Sequence, residues 1–327
     1  MSAGWLPAAQ NRGHLYRDRV RPEDLPAAPG QVPLLVSAFY AARYRHSDRS
    51  VWRQRLVAGE IRCNGQPLRA DAPLAAGDRL VWQRPPWQEP AVPALTAAAR
   101  VFDDGDLLVL DKPSGLPVLP AGGFLEHTLL AQLERLWPGA RPVHRLGRCT
   151  SGLLVCARRP ATRAWLSAQL RESTAADSEK GEKRGCRKLY RALLVPGVLT
   201  LAPGETRTIA VPIGRRAHRQ LGWIWCAADG SEPGDRSARS SLTLLEHRAA
   251  ADLVQVLIAS GRPHQIRIHC AAVGAPLLGD PLYGPDGLAR AEALPGDGGY
   301  RLQAWRLELE RPAGGRLVLE VPEALGF

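Results

Sequence analysis

The 327-residue chain reads as an α+β protein: a mixed, mainly antiparallel sheet with flanking helices, preceded by a smaller α+β module. Three observations predict it. From Val101 onward, short apolar runs of strand length outnumber helical stretches, with none of the regular strand–helix alternation that a doubly wound parallel sheet requires. Before that, two stretches of helical periodicity lead into Asn64-Gly65, a strong hairpin signal. Between the two regions lies Arg84-Pro-Pro-Trp-Gln-Glu-Pro-Ala-Val-Pro, which proline stiffens toward an extended form. The expected division is an arm over 1–30, a small module over 31–88, a linker over 89–100 and a main domain over 101–327.

The elements follow in order. Val32 to Tyr44 carries apolar residues at helical spacing, with Pro33 tolerable only in the first turn. Ser50 to Gly59 is a second helix, with Ser50 as its expected cap and Gly59 as its stop. Glu60 to Leu68 is a strand turning at Asn64-Gly65, and Leu74 to Trp82 closes the module with another. In the main domain, strands are expected at Leu107–Asp111, Gly152–Ala157, Leu189–Val195, Leu242–Glu246, Leu253–Ile258, Leu302–Leu309 and Leu317–Val321. Helices are expected at His127–Trp137, at Thr162–Leu170 and after Pro263. The polar tract Arg171–Arg187 has no apolar period and reads as a surface loop, able to order on a bound partner.

Composition narrows the function. Lys+Arg outnumber Asp+Glu by 43 to 32, a net charge of +11, and only four of the basic residues are lysine. Arginine pairs bidentately with phosphate and stacks on bases, which fits a nucleic-acid partner; codon bias fits the same count. A hydrophobic share of 45% excludes wholesale disorder. No apolar run reaches membrane-spanning length and no leader is visible, so the expected location is cytoplasmic. Six scattered cysteines without a C-x-x-C pair point to reduced thiols, with no metal and no cofactor. His264 and His269 are five apart and do not share the helix face of a paired zinc site.

Three polar stretches interrupt the apolar pattern: Val143-His-Arg-Leu-Gly-Arg-Cys-Thr-Ser-Gly-Leu-Leu-Val before a strand, Lys188-Leu-Tyr-Arg-Ala on one, and Ala259-Ser-Gly-Arg-Pro-His-Gln-Ile-Arg-Ile-His entering a helix. Gly-Arg before a helix N-terminus is a ready anion site. With Gly279-Asp-Pro-Leu-Tyr-Gly and the Asp111-Lys-Pro-Ser-Gly-Leu-Pro turn, these stretches resemble, in family order, the RluA-like pseudouridine synthases over about residues 101 to 323. The module before them is similar to the αL RNA-binding domain of a ribosomal protein, with Arg49, Arg53 and Arg55 facing phosphate.

The resemblance implies a cofactor-free isomerisation of uridine to pseudouridine in structured ribosomal or transfer RNA, on a base flipped from its stack. It also implies a tyrosine packed on the base and placed to help remove the carbon-5 proton, here Tyr190, and an arginine holding an ionised aspartate, here Arg267. His144, Arg145, Arg148, Thr150, Ser151, Arg262, His264 and Gln265 are the implied RNA contacts, although His144 also reads as a structural residue fixing its loop by hydrogen bonds.

The aspartate itself is missing: where the family pattern reads His-Arg-Leu-Asp, this chain has Gly147. Three readings stay open: an RNA-binding protein without catalysis, a carboxylate relocated to Asp111 or Asp280 (Asp106 less favoured), or a Cys149 thiolate activated by Arg145 and Arg148. Arg267 cannot stay buried alone, so another acid, water or RNA phosphate has to meet it. The terminal Leu-His-Ala pattern likewise becomes Leu302-Gln303-Ala304.

Overall fold

A computed structural model describes residues 4–27, 32–172, 186–258, 261–312 and 314–326, with backbone alone at 171–172. Most of the tract expected to order on RNA, and Ala259 and Ser260 of the third polar stretch, lie outside the described residues. The chain divides into two compact units: Ala9–Glu89 with His218–Gly222, and Met1–Ala8 with Pro90–Ala217 and Trp223–Phe327.

In the small unit, the arm contributes a strand, β1 (His14–Arg19). It is followed by α1 (Val36–Arg43), α2 (Arg49–Val57), β2 (Ile61–Cys63), β3 (Gln66–Pro67) and β4 (Arg79–Arg84). The sheet order is β1-β4-β2-β3. Residues 14–19 belong here because Tyr16 lies opposite Trp82 in the register and stacks on its ring, 4.7 Å between centroids. Asn64 and Gly65 both take positive φ, 51° and 84°, and close the β2–β3 hairpin. Asp48, not Ser50, caps α2: its carboxylate accepts the N–H groups of Ser50 and Val51 at 2.9 and 3.0 Å. Tyr40, Trp52, Leu56, Ile61, Leu80 and Trp82 form the buried core.

The large unit is built on one sheet. Its main elements are β5 (Arg100–Asp103), β6 (Leu107–Lys112), α3 (Leu129–Leu136), β7 (Thr150–Ala157), α4 (Pro160–Glu172), β8 (Arg187–Leu194), β9 (Thr206–Ile209), β10 (Ser240–Arg248), β11 (Ala251–Ile258), α5 (Gln265–Ala272), β12 (Leu302–Glu310) and β13 (Arg316–Glu320). The strand order is β9-β10-β11-β8-β12-β7-β6-β5, with β13 on the far half of β12. Among these pairs only β7–β12 is parallel. The fold is therefore the mixed, mainly antiparallel α+β sheet that the sequence predicts.

Alternation along the strands makes two cores. Leu108, Leu110, Leu154, Tyr190 and Ala192 face α3 and α5 through Leu129, Leu133, Ile266 and Cys270. Leu107, Val109, Leu153 and Val155 face α4 through Leu166 and Leu170. Strand β7 is buried along its whole length, which is why its sequence from Gly152 to Ala157 is a continuous apolar run. Among the described residues no helix is long and apolar enough to cross a membrane.

Candidate active site

Register brings the separated motifs together. Tyr190 on β8 lies opposite Ala304 on β12, which lies opposite Gly152 on β7; one step along, Ala192, Leu302 and Thr150 form the same row. The parallel contact requires glycine. Gly152 has φ +99°, and a Cβ there would sit 2.2 Å from the Ala304 carbonyl oxygen. The Tyr190 ring is almost fully buried in the α3/α5-side core, yet its hydroxyl has no partner among the described residues. Burial pushes its pKa up, so it is a neutral phenol.

Arg267 projects from the first turn of α5 and meets a carboxylate. Its Nε donates to Asp280 Oδ2 at 2.7 Å and its Nη2 to Oδ1 at 2.6 Å, with side chains only 4% and 0% exposed. Asp280 Oδ1 also accepts the Leu282 N–H at 2.9 Å. Burial opposes the arginine charge, but the hydrogen bonds and charge of Asp280 outweigh it and raise the pKa. Of the two acids favoured for this place, Asp280 is the one that reaches it.

A second group occupies the guanidinium face. The Tyr300 ring lies over Arg267, 4.2 Å from Cζ to the centroid, and the Tyr283 ring flanks it at 5.1 Å. The Tyr300 hydroxyl is 3.3 Å from Thr150 Oγ1. It also fills the space beside Gly147, where a Cβ would stand 2.3 Å from it. Gly147 itself is exposed.

Asp111 does not join this group. It follows Leu107 and Val109 by alternation, so it lies on the sheet face opposite Leu108, Leu110 and the core holding Tyr300. Its neighbour Lys112 is fully buried and donates to the carbonyls of Pro113, Leu116 and Arg148 at 2.8–3.0 Å. Burial pushes that ammonium down to about 7. With Ser114 Oγ donating to the Cys149 carbonyl at 2.8 Å, the Asp111–Pro117 turn anchors the loop carrying Gly147. Cys149 is buried and makes no contact with Arg267 among the interactions of the described residues.

Several of the residues expected to contact RNA make hydrogen bonds within the fold. His144 Nε2 accepts the Val155 N–H at 3.0 Å, and burial drives its pKa down to about 3. Gln265 Nε2 donates to the Arg239 carbonyl and Ser240 Oγ, and buried Ser151 faces the Leu302 carbonyl. Arg148 Nε donates to the Gly296 carbonyl at 2.9 Å, and Arg262 Nε to that of Ser237 at 3.1 Å. Arg145 remains exposed.

His264 starts α5 in a left-handed conformation, φ +56°, with Nδ1 2.6 Å from Tyr283 Oη. Because Tyr283 donates its own proton to the Trp225 carbonyl, His264 must donate from Nδ1, leaving Nε2 as an acceptor. Burial, with the charge of Arg267, pushes its pKa down to about 3, so the ring is neutral.

In the small unit, Arg53 pairs with Asp71 at 3.3 Å, and Arg49 Nε lies 3.4 Å from Ser37 Oγ. Arg55 is half-buried, its guanidinium lying over the Trp52 and Trp82 rings. A cavity of about 730 Å³ on this unit is lined instead by Arg12, Arg17, Arg84, His14 and Glu60. Sequence reasoning missed that cavity, Tyr283 and Tyr300. Tyr300 follows two glycines and carries no periodic signal; its only mark is its place just before Leu302.

Residues 106–272 match the family model described as RNA pseudouridylate synthase. The chain is similar to an uncharacterized RNA pseudouridine synthase of Synechocystis, 41% identical over 273 residues, covering 82% of this chain and 87% of that one. It is also similar to RNA pseudouridine synthase 5 of Arabidopsis thaliana, 36% identical over 318 residues and 84% of each chain. Among solved structures, human RNA pseudouridylate synthase domain containing 1 shares the fold, with a TM-score of 0.51, 24% identity and coverage of 69% of this chain and 83% of that one.

Proposed function

Because the chain belongs to the RNA pseudouridylate synthase family, we propose that it isomerises uridine to pseudouridine in structured ribosomal or transfer RNA, on a pocket built from Tyr190, Arg267 and Asp280. The observation that carries this assignment of residues is the buried bidentate Arg267–Asp280 pair, linked through the Tyr300 ring and its contact with Thr150 to the strand row next to that of Tyr190. Tyr190 offers its ring to a flipped base. Asp280 keeps the guanidinium fixed and charged; with no exposed side-chain surface and both oxygens engaged, it acts by holding Arg267, not by attacking ribose. Exposed Arg145 draws the RNA backbone toward the pocket, and Arg262 lies beside the entrance to α5.

The small unit is an RNA-backbone module in this reading. Its positive surface is the cavity around Arg12, Arg17 and Arg84 rather than the α2 arginines. Tritium release from RNA carrying 5-tritiated uridine tests the activity, because carbon 5 loses its proton only when the new bond forms. Release with the wild-type protein supports the reading; none on any cellular RNA overturns it.

A further inference from the structure

Asp280 occupies one edge of Arg267, and the opposite side of the pocket, beside Gly147, holds no carboxylate but a phenol. Tyr300 is 3% exposed, its ring lies on the guanidinium, and Thr150 is its one hydroxyl partner among the described residues. The hydroxyl stands where a side chain at 147 would begin, under a stretch of backbone that is itself exposed. Glycine at 147 and tyrosine at 300 are therefore a matched pair: any side chain at 147 would displace the phenol, and glycine there puts no side chain between the hydroxyl and the exposed loop backbone.

We propose that Tyr300 is a catalytic residue of this enzyme, its hydroxyl exchanging a proton with the uracil ring at the place where Gly147 contributes no side chain. The inference rests on the activity proposed above. Uridine becomes pseudouridine when C1′–N1 breaks, C1′–C5 forms, C5 loses a proton and N1 gains one. As C1′–N1 breaks, its electron pair stays on N1, which takes the Tyr300 hydroxyl proton. The tyrosinate left behind faces the cationic ribose and lies over the Arg267 guanidinium, which stabilises it. The uracil turns, C5 supplies the electron pair of the new bond to C1′, and the C5 proton returns to the Tyr300 oxygen. Atoms and charge balance with no further reactant.

The protonation state suits the first step. Burial raises the Tyr300 pKa against the opposing pull of Arg267, so the group enters the cycle as an acid. The arrangement also explains why Asp280 can be sealed away: the anion beside ribose is made during the reaction and not stored before it.

The test uses the full-length protein and RNA with 5-tritiated uridine. Tyr300→Phe keeps the ring on Arg267 and removes one oxygen. Tritium release should fall about 100-fold or more with RNA affinity and thermal midpoint unchanged, whereas release within about threefold of wild type overturns the proposal. Difluorotyrosine at 300 keeps the hydroxyl and makes it more acidic, and it decides the matter if the Phe variant does not fold. The basic limb of its kcat–pH profile should move to lower pH, and an unmoved profile counts against Tyr300. Wild-type release that Tyr300→Phe leaves intact overturns Tyr300 alone; no wild-type release overturns the activity beneath it as well.

Discussion

Gly279 and Gly299 cross back to back, so close that a Cβ on either would stand 2.7 or 2.6 Å from the other's carbonyl oxygen. Both have positive φ, +75° and +126°. The residues that follow them, Asp280 and Tyr300, thereby reach the edge and the face of one guanidinium. Two backbone segments 20 positions apart in sequence meet at the only residue type that permits the contact.

Asp280→Asn keeps the shape of the side chain and removes its charge. It leaves Arg267 buried and uncompensated, at a cost of about 3–5 kcal/mol in folding stability. Urea denaturation measures it. Replacing both partners, Arg267→Met with Asp280→Leu, should recover most of the loss; a double variant as unstable as the single one contradicts the ion-pair account.

Gly147→Ala forces the Tyr300 hydroxyl aside and should cost about 1–3 kcal/mol. In a Tyr300→Phe background the added methyl meets a ring without its oxygen, and the cost should shrink. A double-mutant cycle reads the coupling directly. Strict additivity would show that the two positions do not collide.

His144 gives stability a defined pH dependence. Its folded pKa lies near 3, below the usual imidazole value, so between that value and the unfolded pKa the unfolded chain binds the proton and the folded chain does not. Stability from this group therefore rises with pH across the window and is lost on acidification. Calorimetry from neutral to mildly acidic pH should show a shallower decline of the thermal midpoint in His144→Gln than in wild type; parallel curves would be the contrary result.

Arg145→Ala should weaken RNA binding to a similar degree for every RNA sequence. The slope of log K against log salt should become less steep by about one phosphate contact, near 0.7–0.9. Filter binding across a salt series measures it. An unchanged slope would remove Arg145 from the RNA contacts.

Much of this site is legible in the sequence because its parts obey local rules. The apolar run of β7, the entry into α5 at Pro263 and the alternation carrying Tyr190 each follow from periodicity and turn chemistry, and the missing acid at 147 is visible as a glycine. The choice of Asp280 over Asp111 depends on which sheet face a residue takes, and strand parity with Leu107 and Val109 contains that answer for Asp111. Tyr300 is different. It is delivered by a tertiary crossing of two glycines, and no local pattern encodes which distant side chain it will cover. The strand at 14–19 was hidden for a related reason: only Asp18 of its six residues is buried, so it has no apolar alternation, and its pairing is fixed by Tyr16 on Trp82.

The parallel β7–β12 ladder has a consequence for folding. Thr150 and Tyr300 are 150 positions apart, and the β7–β12 ladder spans the same long separation in sequence. Contacts of such long range are slow to close, so the β7–β12 ladder and the Thr150–Tyr300 contact are expected to form late in folding.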